Sequence, residues 1–286
     1  MNSFLPHHSP SVARALVRAG HSQHIGQALS PDKVIHRSMP VVGRLISTLV
    51  FLLLAIPLVH AQRGGRGAGP PPTPKAASPI DITGYWVSIV TEDWRYRMMT
   101  PAKGDFPSIP LSPEGVKVAN DWDPAKDEAA GNQCKGYGAG NIMRMPGRLH
   151  ITWQDDNTLK VEMDNGVQTR LFHFGAALTG ETSWQGDSLA QWEFAGGRAG
   201  GRGGDLKVVT THMKPGYLQK NGVPYSANAV VTEHFDLTNE PDATSWLIVT
   251  TLVEDPRYLA RPFQRSTHFR KQADAKGWDP TPCIAQ

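Results

Sequence analysis

From Asp81 onward the chain runs in short alternating stretches broken by turn residues, and this pattern leaves few folds open. Leu149, Ile151 and Trp153 alternate with His150, Thr152 and Gln154. Asp155-Asp156-Asn157 then turns the chain, and Leu159, Val161 and Met163 alternate with Lys160 and Glu162. Apolar residues two apart share one face of a strand. Asp164-Asn165-Gly166 follows, and Asn-Gly is the strongest short hairpin signal because both residues take positive φ. Residues 167–174 are then the returning strand. Runs rich in Val, Ile, Thr, Trp and Phe predict further strands at 82–90, 93–99, 186–194, 206–213, 227–238, 244–254 and 261–271, about ten in all. Only PEGVKVAND at 113–121 has helical character, with Pro113 suited to a first turn. With 28 Gly and 23 Pro, long helices are not expected. The pattern predicts a mainly β protein: an antiparallel barrel of about 8–10 strands, with a β-sandwich as the alternative.

The first 80 residues read as an address rather than a fold. LISTLVFLLLAIPLV at 45–59 follows Arg44 and ends in Val59-His60-Ala61, a small-x-small cleavage pattern. A basic flank, a short apolar core and small residues before the cut describe a secretory signal peptide. A span would need ~18–20 apolar residues, and Pro57 interrupts this run. The reading is therefore 1–38 as a non-native or disordered extension, 39–61 as signal peptide, 62–80 as a Gly/Pro-rich linker and 81–286 as a single β domain. It implies a secreted or periplasmic protein with no stable membrane anchor after cleavage. A second low-complexity tract, GGRAGGRGGD at 196–205, reads as a hairpin loop. The 29 basic and 26 acidic residues become 24 and 25 once the five basic and one acidic residue of 1–61 are set aside. So even a balance disfavours a nucleic-acid partner. Cys134 and Cys283, an even count in an exported chain, favour one disulfide joining the C-terminal tail to the loop before the 148–154 strand; two free thiols are the alternative.

Two resemblances can be named. DITGYWV (81–87), LSPEGVKVANDWDPAKD (111–127), CKGYGAGNIMRMPGRLHITWQDD (134–156), TSWQGDSLAQWE (182–193), VVTEHF (230–235) and VEDPRYLARPF (253–263) resemble, in this order, a family of exported β-rich bacterial proteins without an established activity. The likeness implies a fold and an export route, and no chemistry. The Gly/Arg tract at 196–204 departs from it. Gly84-Tyr85-Trp86 resembles the G-x-W signature of lipocalins. That likeness implies a barrel whose Trp86 closes one end and packs under an arginine of the last strand, Arg265 or Arg270. A lipocalin-like barrel is accordingly the leading architecture.

Five histidines follow the linker, at 150, 173, 212, 234 and 268, each in or at the end of a predicted strand. No H-E-x-x-H, H-x-H or Cys/His zinc spacing occurs, so neither a metal nor another cofactor is expected. Glu233 and His234 are neighbours and face opposite sides of a strand. If Glu233 points inward beside Val231 and Phe235, it is either a desolvated general acid or base, or the partner of Arg170, Arg265 or Arg270. Glu193, between Trp192 and Phe194, has the same ambiguity. The eight Trp can fill a core or line a ligand cavity.

Function then divides three ways. The first reading is a barrel that binds a small, largely apolar molecule, with Trp153, Trp192, Trp246 and His173 lining the cavity. The second is a barrel enzyme of the isomerase, cyclase or hydratase type with Glu233, His150 or His212 as acid/base. The third is a structural envelope protein without a ligand.

Overall fold

The computed structural model describes residues 70–175, 180–197 and 203–285. The extension, the signal peptide and the linker up to residue 69 lie outside the described residues, as do 198–202 of the Gly/Arg tract. The elements in chain order are β1 (Gly84–Ser88), α1 (Trp94–Arg97), α2 (Pro113–Asn120), α3 (Pro124–Ala129), β2 (Arg148–Asp155), β3 (Thr158–Met163), β4 (Asn165–Gly166), β5 (Gln168–Phe174), β6 (Asp187–Phe194), β7 (Gly204–Thr211), β8 (Gly216–Gln219), β9 (Val223–Tyr225), β10 (Val230–Asn239), β11 (Ser245–Glu254), β12 (Phe263–Gln272) and β13 (Thr281–Pro282). Two departures from the predicted elements are helical. Residues 93–99, expected as a strand, hold α1, and α3 has no counterpart in the sequence reading. Both α2 and α3 start with an oxygen-bearing cap followed by proline: Ser112 accepts from the Gly115 amide and Asp123 from the Ala125 amide.

Nine strands close into a barrel in the order β1-β12-β11-β10-β7-β6-β5-β3-β2, with β2 pairing back onto β1. The barrel is mixed rather than purely antiparallel. In a closed ring whose every strand opposes both neighbours the strand number must be even, so nine strands force a parallel pair. It falls at β5–β6, where Phe172, His173 and Phe174 pair with Ser188, Leu189 and Ala190. The other eight junctions are antiparallel.

Alternation along each strand sets the inside. Trp86, Leu149, Ile151, Leu159, Val161, Phe172, Leu206, Val208, Phe235, Leu247, Val249 and Phe269 form one buried cluster in the lumen. A second cluster lies where the 136–145 segment and the β8–β9 hairpin cover the barrel end that β1 leads toward, with Tyr225, Leu218 and Met213 against Val231, Val253 and Phe263. Tyr225 explains two glycines of the CKGYGAGN block, Gly138 and Gly140, and a third at Gly216. A Cβ on Gly138 or Gly216 would overlap its phenol, and one on Gly140 would press on its ring.

The Asn-Gly hairpin is displaced by one residue. Met163 pairs with Gln168, leaving a four-residue loop in which Gly166 and Val167 take positive φ. Asn165-Gly166 instead carries the parallel pairing with Thr281-Pro282 of the tail. The tail is pinned there by the Cys134–Cys283 disulfide, with Cα atoms 5.1 Å apart.

Candidate functional site

Trp86 is fully buried, donates from Nε1 to the Ile82 carbonyl at 2.9 Å, and lies under a cation of the last barrel strand. That cation is Lys271, its Nζ 4.4 Å from the ring centroid and bonded to the Thr83 carbonyl, rather than Arg265 or Arg270. Register decides this: Lys271 is paired with Trp86, and Arg270 with Val87 on the outer face. Arg265 lies six residues earlier on β12, toward the opposite end. Burial holds the Lys271 ammonium below its ordinary range, partly offset by Asp81.

Glu233 points into the lumen, as one of the two sequence readings has it, and meets Arg170. Their side chains have no exposed surface, and Arg170 Nη2 lies 2.6 Å from Glu233 Oε2. A second bond joins Nη1 to Oε1 at 3.0 Å, and Nη2 donates to Thr210 Oγ1 at 3.0 Å. Thr210 bonds Ser188 at 2.8 Å, and the guanidinium carbon sits 4.8 Å over the Phe172 ring. A carboxylate held by two guanidinium nitrogens is engaged as an ion-pair partner. This arrangement holds the mid-barrel shut and leaves Glu233 no free face toward a substrate.

The histidines face outward. His150 stacks on Tyr85 with centroids 4.1 Å apart and meets Glu162 at 3.2 Å. His173, opposite Thr158 on the outer face of β5, is 3.4 Å from its hydroxyl. His212, just past β7 at positive φ, is half exposed beside Asp187 at 3.5 Å. His268 meets Glu92 at 2.7 Å. None of the three histidines expected at a cavity enters the lumen, because each alternates with a buried neighbour (Leu149, Phe172) or lies beyond its strand. Trp246 is also outside: it precedes lumen-facing Leu247 and pairs with Thr238 and Arg270.

Trp153 and Trp192 do come together. With Phe174 they form an aromatic trio at the barrel end where β1 begins: Trp153–Phe174 centroids are 5.6 Å apart, Phe174–Trp192 5.4 Å and Trp153–Trp192 6.4 Å. All three are half-buried. The segment before β1 lies across them. Trp192 Nε1 donates to the Pro74 carbonyl at 2.8 Å and the Lys75 amide to the Asp156 carbonyl at 3.2 Å. Beside the trio is an open groove of about 480 Å³ lined by Lys75, Ile80, Asp81, Thr83 and Trp153 among others.

Two further clusters escaped the sequence reading. On the outer face, Glu193, Asp205 and His234 of β6, β7 and β10 bring their ligand atoms within 4.8 Å of one another, a geometry open to a divalent cation. Asp205 already holds His234 Nδ1 at 3.1 Å, and Lys207 approaches Glu193 at 3.5 Å. Burial and the adjacent Asp205 raise the Asp236 carboxyl above its ordinary range there. In a cleft under α3, Tyr217 Oη donates to Asp127 Oδ2 at 2.5 Å and Lys135 Nζ to Oδ1 at 2.7 Å. Burial and the bond to Asp127 push the Tyr217 phenol up, and burial pulls the Lys220 ammonium down. These residues are 8 to 90 positions apart in sequence, with no motif to join them.

No protein-family model matches the chain, and no curated protein matches it.

Proposed function

We propose that the protein is an exported barrel that binds a small, largely apolar molecule at the Trp153–Phe174–Trp192 end. The observation that carries the reading is the trio itself: three large rings, half-buried, at a barrel end covered by one chain segment and flanked by an open groove. Apolar lining with a few polar groups at the rim is the usual make-up of a small-molecule site. The three rings supply the apolar part, and Lys75, Ser78, Asp81 and Thr83 of the groove supply the polar groups. The filled mid-barrel restricts binding to the end of the lumen. The signal-like leader, the disulfide and the likeness to exported β-rich proteins support export. Among the described residues no helix is long and apolar enough to cross a membrane.

The enzyme reading is less favoured, since Glu233 is held by Arg170 and His150 and His212 face outward. The test is a titration with the neutral fluorophore N-phenyl-1-naphthylamine. Saturable enhancement that Trp192→Ala or Trp153→Ala weakens at least ten-fold, in variants that still melt cooperatively, supports the site. Enhancement unchanged by both substitutions, or absent from the parent protein, refutes it.

A further inference from the structure

At the other end of the barrel three arginines gather around one carboxylate. Arg144 Nη2 and Arg265 Nη1 both reach Asp93 Oδ2, at 2.7 and 2.5 Å. Arg97, only 3 % exposed, bonds the Arg144 carbonyl at 3.0 Å and the Ile89 carbonyl at 2.6 Å. Its remaining nitrogen, Nη2, is buried without a partner, and so is Nε of Arg265. Arg144 is held down to about 10 by burial and by the charge of Arg265. Asp93 has the left-handed backbone (φ 57, ψ 32) and stands at the N-cap of α1, yet its side chain makes no capping bond. Glu92, whose charge also acts on Arg97, is turned to His268.

Asp93 meets both arginines through Oδ2 alone, and donors buried in excess over acceptors carry a desolvation cost that a ligand bringing more acceptor oxygens removes. Arg144 and Arg265 also line a cavity whose other walls include Met143, Val253 and Phe263. It holds about 10 Å³, room for one water-sized group such as an oxygen of an oxyanion. The helix that carries Arg97, with the two residues after it, exposes Trp94, Met98 and Met99, more than half exposed or nearly so. They give the segment that carries Arg97 an exposed apolar surface.

We infer that Arg97, Arg144 and Arg265 form a binding site for the carboxylate of a small apolar acid. Asp93 acts as an internal stand-in that the ligand's carboxylate replaces. A carboxylate is favoured because a carboxylate already bridges two of the arginines, and because a planar pair of oxygens suits guanidinium donors. This site is separate from the Trp153–Trp192 end and does not depend on it.

The probes are decanoate, acetate and inorganic phosphate, added to the disulfide-intact protein and followed by Trp94 emission, with Trp94→Phe as the control for signal origin. Decanoate is expected to give a saturable blue shift, at least thirty-fold tighter than acetate or phosphate. Asp93→Asn should tighten it ten-fold by removing the competitor, and Arg144→Gln and Arg265→Gln should each weaken it ten-fold or more. Trp192→Ala should leave it unchanged. Because an arginine variant can fail to fold, the gain in Asp93→Asn is the decisive arm. No decanoate signal in either the parent protein or Asp93→Asn overturns the proposal. So does affinity unmoved by Asp93→Asn, phosphate binding as tightly as decanoate, or loss of binding in Trp192→Ala.

Discussion

Glu233→Gln keeps the shape of the side chain and removes its charge, which isolates what the ion pair does. Both partners are fully buried, so the substitution leaves the Arg170 guanidinium without a counter-charge inside the lumen. Breaking one side of such a pair costs about 3–5 kcal/mol. The glutamine oxygen can still accept from Nη1, which places Glu233→Gln near the lower figure and Glu233→Leu near the upper. For a domain of this size each kcal/mol moves the midpoint by about 2–4 °C, so a fall of about 6–12 °C is expected for Gln. Replacing both partners with apolar groups of similar volume, Arg170→Met with Glu233→Leu, removes the unpaired charge and should return the protein to within about 2 kcal/mol of its starting stability. The assay is urea and thermal unfolding of five proteins, the parent, Glu233→Gln, Glu233→Leu, Arg170→Met and the double, under oxidising conditions at pH 7. A coupling energy close to the sum of the two single-variant costs, less the small cost of the double, is the expected result. If Glu233→Gln melts within a degree of the parent yet abolishes turnover of some substrate, the ion-pair account fails and Glu233 is an acid/base after all.

Removing the disulfide with Cys134→Ser and Cys283→Ser opens a loop of 149 residues and should cost about 5 kcal/mol in the chain-entropy model, measured as a shift in urea midpoint. Val167 is a β-branched residue at φ 48 and mostly exposed. Val167→Gly should therefore stabilise by about 1 kcal/mol, and a fall in the melting temperature would contradict the backbone-strain account. The raised Asp236 carboxyl binds its proton more readily in the folded than in the unfolded state, so its contribution is present below the unfolded value and lost as pH rises through the folded one. Asp236→Asn should accordingly give a small gain in melting temperature at pH 7 that fades near pH 3.5; a gain that persists unchanged at low pH would remove the electrostatic cause.

Alternation and turn residues made most of the barrel legible. The runs at 148–154, 186–194, 244–254 and 261–271 all lie on strands within a few residues of their expected ends. The segment 93–99 misled because Trp and Tyr carry β preference, while its actual state is set by Arg97 reaching the Ile89 and Arg144 carbonyls, a tertiary demand. The parity of the strand number was invisible because no local pattern records how many strands close a ring. At the sites, strand phase sorted the residues once a single buried neighbour was known: Leu149 puts His150 outside and Leu247 does the same for Trp246. What phase cannot give is which strands become neighbours. Phase narrowed the partner of Glu233 to Arg170, Arg265 or Arg270 without choosing among them, and the contact of Arg265 with Asp93, 172 residues away, had no signal.

The lone parallel junction has a mechanical meaning. β5 and β6 are joined along just Phe172–Phe174 and Ser188–Ala190, whereas β10 and β11 zip together along their full lengths. The junctions of β1 are four pairs long, so the three-pair β5–β6 junction is the shortest weld of the cylinder, and amides bordering it should be the first of the barrel wall to exchange with deuterium. Arg170 stands on β5, on one side of the weld, and grips Thr210 on β7 and Glu233 on β10, on the other. The buried charges thus span the lumen as a tie-rod across the weakest joint. Cutting the rod should loosen the wall at β5–β6 before it loosens anything else.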